Sequence, residues 1–259
     1  NDLTNELKTR VLAAIEACTP LEIRGSGSKR FLGRTPTGEP LDVSGHGGIV
    51  NYHHKELVIT ARCGTSLESI ESALADEGQM LPFEPPRFGP DATIGGTVAC
   101  GLSGPARSHA GSARDLVLGT RVLTGRGQVL RFGGEVMKNV AGYDVSRLMT
   151  GAMGTLGVLL DVSVKVMPRP AAQRTLAQES STAGAIEQMN AWGGKPLPIT
   201  ATCFDGERLY VRLAGAATAV AESAPQIGGE PIADAEDFWD SSIREQQHAF
   251  FAGDTPQMQ

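Results

Sequence analysis

The sequence predicts an α+β protein in two parts. Three observations carry this: a strand pattern of period two over Leu156–Met167, helically spaced apolar residues near the start, and a helix–strand–turn–strand–helix order beyond residue 170. At 259 residues the chain suits one large domain or two small ones. Met167-Pro168-Arg169-Pro170 interrupts a strand pattern and favours an extended connector. Charge changes at the same place. Residues 1–170 carry 18 Lys and Arg against 17 Asp and Glu, whereas 171–259 carry 5 against 12. A boundary is expected there, giving domains 1–170 and 171–259.

Leu3, Leu7, Val11, Leu12 and Ile15 share a helical face, so a helix is expected from Asp2 to Ala17, with Pro20 ending it. Leu21–Arg24 reads as a short strand entering Gly25-Ser26-Gly27-Ser28-Lys29, and Leu57–Ala61 as a second strand. Thr65 and Glu68 have capping-box spacing for a helix over Ser66–Glu77, closed by Gly78. Met80–Pro90 is proline-rich loop. Val117–Leu123 and Gln128–Phe132 flank Thr124-Gly125-Arg126-Gly127 and predict a hairpin. In the long strand Val158, Leu160, Val162, Val164 and Val166 alternate with Leu159, Asp161, Ser163 and Lys165. Past Pro170 come a helix (Ala183–Trp192), a strand (Ile199–Phe204), a turn (Asp205-Gly206-Glu207), a strand (Arg208–Ala214) and a helix (Ala217–Gln226).

Several function classes are disfavoured. A net charge of −6 argues against nucleic acid as the partner. No apolar run approaches the ~20 residues of a spanning helix, and no basic-then-apolar leader is visible at the start. Cys18, Cys63, Cys100 and Cys203 lie far apart without CxxC, so neither a disulfide framework nor a metal set is expected, and a reducing cytoplasm fits. His46, His53 and His54 lack metal-ligand spacing, so no metal site is assigned.

Glycine is the compositional outlier, and 15 of the 32 fall within residues 89–157. Glycine permits positive φ and close backbone approach, so two readings stand: main chain wrapped on a ligand, or turns of a β-rich domain. Three clusters bear on this. Gly25-Ser26-Gly27-Ser28-Lys29 can turn amides, hydroxyls and an ammonium toward an anion, although it is neither GxxxxGK[ST] nor GxGxxG. Gly89–Gly104 is built almost wholly of small residues, and Gly151–Val158 leads into the long strand. Three such clusters without a Rossmann or P-loop signature favour a ligand-wrapping domain.

RGSGSK (24–29), PDATIGGTVACGLSG (90–104), SARDLVLGTRVLTGRGQVLRFGG (112–134) and KNVAGYDVSRLMTGAMGTLGVLLDVSVKVMP (138–168) together resemble the FAD-binding domain of the vanillyl-alcohol-oxidase, or PCMH, type. ITARCGTSLESIESAL (59–74) and RFGGEVMKNVAGYD (131–144) make the chain similar, within that superfamily, to the FAD-binding (E) subunits of bacterial glycolate oxidases. The resemblance is strong over 20–170 and weaker over 171–250. It implies an FAD-binding domain of two α/β subdomains followed by a partial α+β cap, cut short at the C-terminus.

The resemblance also implies roles. Gly25, Ser26, Gly27, Ser28 and Lys29 would cradle the FAD pyrophosphate. Thr93, Gly95, Gly96, Gly101, Ser103 and Gly104 would line the pyrophosphate and ribityl side. Gly111, Ser112 and Asp115 would lie close to the flavin, and Gly154, Gly157 and Val158 would meet the adenosine or the ring. Lys138, Tyr143 and Asp144 match a family motif that either binds or braces, and His109 either faces the flavin or is a loop histidine. No histidine or cysteine occurs in Gly25–Lys29, so FAD is expected to be held without a covalent bond. After Pro170 only His248 and the scattered Arg174, Arg208, Arg212 and Arg244 remain for substrate work, and no catalytic residue is assigned.

For function, the resemblance implies the FAD-binding subunit of a complex oxidising glycolate to glyoxylate, with electrons leaving through an iron–sulfur subunit to a quinone. A second flavin subunit and the iron–sulfur subunit are the implied partners. The implied location is the cytoplasm, with membrane association only through those partners. Two alternatives belong to other classes: an autonomous FAD-dependent 2-hydroxy-acid or alcohol dehydrogenase, and a non-catalytic assembly subunit.

Overall fold

The computed structural model describes residues 1–134 and 142–246. They form two compact units: Asn1–Ser103 with Gly111–Pro168, and Gly104–Ala110 with the chain from Arg169 onward. The break after Pro168 lies two residues before the expected boundary. Inclusion of 104–110 in the second unit had no signal in the sequence.

The first unit begins with α1 (Thr4–Glu16), a parallel pair of β1 (Leu21–Arg24) with β2 (Glu39–Asp42), and β3 (Ile49–His53) paired with β4 (Val58–Arg62). Leu7 and Val11 of α1 pack with Leu41, Val43, Leu123, Val158 and Leu160. Leu12 and Ile15 stay largely exposed, so the buried stripe is narrower than the apolar spacing suggested. Next come α2 (Leu67–Asp76), the short β5 (Gln79–Met80) and α3 (Ile94–Cys100). The N-cap of α2 is Ser66, whose hydroxyl accepts from the Ser69 amide at 3.2 Å. Thr65 does not take that place, because its hydroxyl donates to Arg62 O at 2.7 Å and accepts from the Gly48 amide at 2.8 Å.

The remaining elements of this unit are α5 (Ala113–Leu116), β6 (Val117–Leu123), β7 (Val129–Gly133), α6 (Val145–Met149), β8 (Val158–Lys165) and β9 (Met167–Pro168). A five-stranded sheet runs β3-β4-β8-β6-β7, every neighbouring pair antiparallel, and β8 at its centre is buried on both sides. Its apolar residues do not all face one way. Val158 and Leu160 pack under α1, whereas Leu159, Val162, Val164 and Val166 join the core with Ile59, Leu67 and Phe83. The cause is a register shift against β6, where Arg121 opposes Asp161 but Val122 opposes Leu159. One extra residue in a strand reverses the facing of the residues beyond it.

Asp161, 6% exposed, stands opposite Arg62 on β4 and Arg121 on β6. Arg121 Nε lies 2.9 Å from Asp161 Oδ2, and His46 Nε2 lies 3.4 Å from Oδ1. His46 Nδ1 accepts from the Leu3 amide at 2.9 Å, which places the ring proton of a neutral imidazole on Nε2, toward Asp161. Arg121 also donates to Thr4 Oγ1 at 2.6 Å. The Thr4 hydroxyl and amide hold the Asp2 carboxyl well below the usual carboxylate range, with Arg121 and His46 adding to the effect. This polar network fastens the start of α1 to the sheet.

The second unit holds α4 (Arg107–Ala110), β10 (Ala172–Glu179), α7 (Thr182–Gly193), β11 (Ile199–Phe204), β12 (Arg208–Gly215), α8 (Ala217–Ile227), β13 (Glu230–Pro231), α9 (Ala235–Asp237) and a π-helical turn over Phe238–Arg244. Its sheet runs β11-β12-β10-β13. Leu176, Trp192, Leu209, Val211, Leu213, Val220 and Ile227 form the core. Among the described residues no helix is long and apolar enough to cross a membrane.

Candidate functional site

The first unit contains a cleft of about 440 Å³, within the usual range for a small-molecule site. It forms where the three glycine clusters meet. A Cβ at Gly25 would come 2.9 Å from Thr93 Oγ1, one at Gly101 would come 3.1 Å from Gly151 Cα, and one at Gly154 would come 3.3 Å from Ile23 Cδ1. The first cluster thus meets the second, the second meets the third, and the third meets β1 just ahead of the first, at distances that leave little room for a side chain. Hydrogen bonds fasten the second to the third, since the Gly151 amide donates to Val98 O at 3.0 Å and the Met153 amide to Ala99 O at 2.9 Å.

The small residues of 94–100 serve helix packing as well as ligand approach. Thr93 caps α3 by accepting from the Gly96 amide at 3.1 Å, and Gly101, with φ +67°, closes it. The Gly95 amide donates to Cys63 O at 2.8 Å, and a Cβ at Gly95 would lie 2.4 Å from Cys63 Cβ. Only glycine lets this helix sit so close to the end of β4.

Of the residues expected at the site, Gly25, Ser26, Gly27, Ser28, Lys29, Thr93, Gly95, Gly96, Gly154 and Gly157 all line the cleft. Gly101, Ser103, Gly104, Gly111, Ser112, Asp115 and Val158 do not line it. Ser103 accepts from the Ala113 amide at 2.9 Å. Ser112 donates through both its amide and its hydroxyl to Asp115, whose carboxyl is thereby held below its usual range. Val158 is buried under α1, and Gly104 belongs to the second unit, as does His109 on α4. Asp144 caps α6 by accepting from the Arg147 amide at 3.0 Å, while Tyr143 is 98% exposed. Lys138 and His248 lie outside the described residues. Among the described residues no histidine, cysteine or carboxylate cluster could hold a metal.

The structure adds charged residues to which the sequence reading gave no role. Arg24, Arg30 and Arg34 join Lys29 in the lining, and Glu22 is its one carboxylate. The wall is thus cationic in a chain of net charge −6, although the whole first part of the sequence is near neutral. Averaging over 170 residues conceals four cations that fall within eleven. Lys29, 8% exposed, places Nζ 3.1 Å from Arg87 O and 3.4 Å from Ser28 Oγ. Among the described residues the amides of Gly25, Ser26 and Gly27 make no internal hydrogen bond. The lining also includes Ala99, Cys100, Met149, Met153 and Leu159, which suit a flat apolar group. Amides and cations together with small apolar surface fit a dianionic dinucleotide with planar rings.

Residues 3–133 match the family described as FAD binding domain. The chain is 53% identical over 251 residues to glycolate oxidase subunit GlcE of Escherichia coli (strain K12), covering 97% of this chain and 71% of that one. It is 30% identical over 212 residues to glycolate oxidase subunit GlcD of Bacillus subtilis (strain 168), covering 80% of this chain but 45% of that one. An alkyldihydroxyacetonephosphate synthase structure superposes with a TM-score of 0.68 at 17% identity, over 86% of this chain and 48% of that chain, a likeness of fold alone. The cleft has the donors and the close-approach glycines that FAD requires. The chain therefore belongs to the FAD-binding domain family, with the PCMH-type fold and FAD as its cofactor.

Proposed function

We propose that this FAD-dependent oxidoreductase is the FAD-binding subunit of a glycolate oxidase complex. In that complex glycolate becomes glyoxylate, and electrons leave through an iron–sulfur subunit to a quinone. The observation that carries the reading is the similarity to GlcE along nearly the whole chain, on a fold that builds a cationic, glycine-walled cleft. Similarity to GlcD, also named a glycolate oxidase subunit, supports a related flavoprotein as partner. The chain works in the cytoplasm and reaches a membrane only through its partners.

When bound, FAD supplies a two-electron acceptor for the carbon bearing the substrate hydroxyl. The residues of this chain bind and shield. The Gly25–Gly27 amides and Lys29 hold the diphosphate, Gly95, Gly96 and Gly154 admit close approach, and Met149, Met153 and Leu159 exclude water. The His46–Asp161 pair lies outside the lining and braces the fold, so we assign it no catalytic part.

No histidine lines the cleft, and its two cysteines are poor nucleophiles. Burial pushes the Cys63 thiol far up and raises that of Cys100, keeping both protonated. All flavin should therefore leave the polypeptide on acid precipitation. Flavin pelleting with the denatured chain would contradict non-covalent binding.

Affinity purification of the tagged chain from its own cells tests the larger reading. The expected result is recovery with a second flavoprotein and an iron–sulfur protein, in a preparation that reduces a quinone analogue when glycolate is added. A chain recovered alone whose flavin is bleached by glycolate without air would instead be an autonomous dehydrogenase.

A further inference from the structure

The charged residues of the cleft all come from one stretch, Glu22 to Arg34, and one of them organises two others. The Glu22 side chain is only 12% exposed. Arg24 meets it with Nη2 at 3.0 Å from Oε2 and Nε at 3.4 Å from Oε1, and Arg30 Nη2 lies 3.4 Å from the same Oε1. One carboxylate shared by two guanidiniums leaves a positive charge in surplus. A guanidinium has five N–H donors, and Arg30 approaches Glu22 through Nη2. Arg30 also folds back over the glycine turn, since a Cβ at Gly27 would lie 3.4 Å from its Cδ. Its side chain is thereby packed against the glycine turn.

We propose that Glu22 is a positioning residue that sets Arg24 and Arg30 as a clamp for a diphosphate. At the diphosphate-binding wall proposed above, the clamp selects the dinucleotide over unphosphorylated flavin and accepts ADP by itself. Planar guanidiniums held at fixed angles recognise phosphate oxygens better than mobile ammonium groups do. The inference rests on the FAD reading of the cleft and adds which residues confer selectivity. It predicts a sign that net charge alone does not. Glu22→Gln makes the wall more positive, which by itself would tighten an anion, yet it unties both arginines.

The test uses the full chain loaded with FAD, with release followed by flavin fluorescence. ADP is expected to displace FAD, and riboflavin at equal concentration is not. Arg30→Gln should raise Kd for both FAD and ADP roughly tenfold, the loss of about one charge-assisted contact, and should flatten the salt dependence of binding. Glu22→Gln should weaken both ligands as well, and Arg30→Lys should recover part of the loss. The Arg30 side chain is 52% exposed, so its variants should keep the wild-type melting temperature, which is measured alongside. Tighter FAD binding in Glu22→Gln, or failure of ADP to displace FAD, would overturn the clamp while leaving the FAD reading intact. A wild-type chain that holds no FAD would overturn the FAD reading itself.

Discussion

Gly95→Val should yield a protein that carries little or no flavin and melts well below the wild type. Even one added carbon at this position would stand 2.4 Å from Cys63 Cβ and 2.6 Å from Cys63 O. Neither can yield cheaply. Cys63 is 1% exposed, and its amide donates to Leu160 O at 2.7 Å, so it is fixed to the central strand. The helix must move instead, breaking the bond from the Gly95 amide and carrying Gly96, Ala99 and Cys100 out of the cleft wall. Overpacking of this kind costs roughly 1–3 kcal/mol. The Kd for FAD should rise at least about tenfold, which corresponds to ~1.4 kcal/mol of binding, and the flavin-to-protein absorbance ratio should fall with it. Gly125→Ala is the control, because nothing lies within 4 Å of its would-be Cβ and it should load flavin normally. Normal flavin content in Gly95→Val would show that α3 does not form the binding wall.

Asp161→Ala should be the most damaging substitution outside the cleft. It removes the carboxylate that stands opposite Arg62 and Arg121 and faces His46, leaving Asp2, 3.6 Å from each arginine, as their remaining counter-ion. Breaking a buried pair from one side costs about 3–5 kcal/mol, and because Asp2 remains beside both arginines the loss here is expected at the low end, about 3 kcal/mol. Chemical denaturation should show a loss of that size. Arg121→Met added to Asp161→Ala should restore part of it, because the stranded charge is then gone. An additive double variant would mean that the two residues act independently.

Local order is well expressed in the sequence where one signal dominates. The positions of α1, β1, α2, the β6–β7 hairpin and the α7–β11–β12–α8 series all lie within a few residues of expectation. The elements without a local signal are those whose order comes from elsewhere in the chain. The helix α3 contains three residues of low helical preference, Gly95, Gly96 and Thr97, and exists because Thr93 caps it and Cys63 accepts it. Strand β10 carries Gln173, Arg174 and Thr175 in place of an apolar alternation and is defined by pairing with β12 along its whole length. At the site, the glycines announced themselves by density. The arginines beside them did not, because a guanidinium in a loop looks the same whether it faces solvent or a ligand.

The meeting of residue 25 with 93, and of 154 with 23, has a kinetic consequence. Segments this far apart along the polypeptide come together late, since closing long loops must precede any reward from the contacts made. The cofactor therefore cannot template the early events of folding. It arrives at a nearly finished scaffold and acts as a final lock, whose occupancy lowers the population of opened states in proportion to ligand supply. Scarcity of FAD in the cell would then register as faster turnover of this polypeptide.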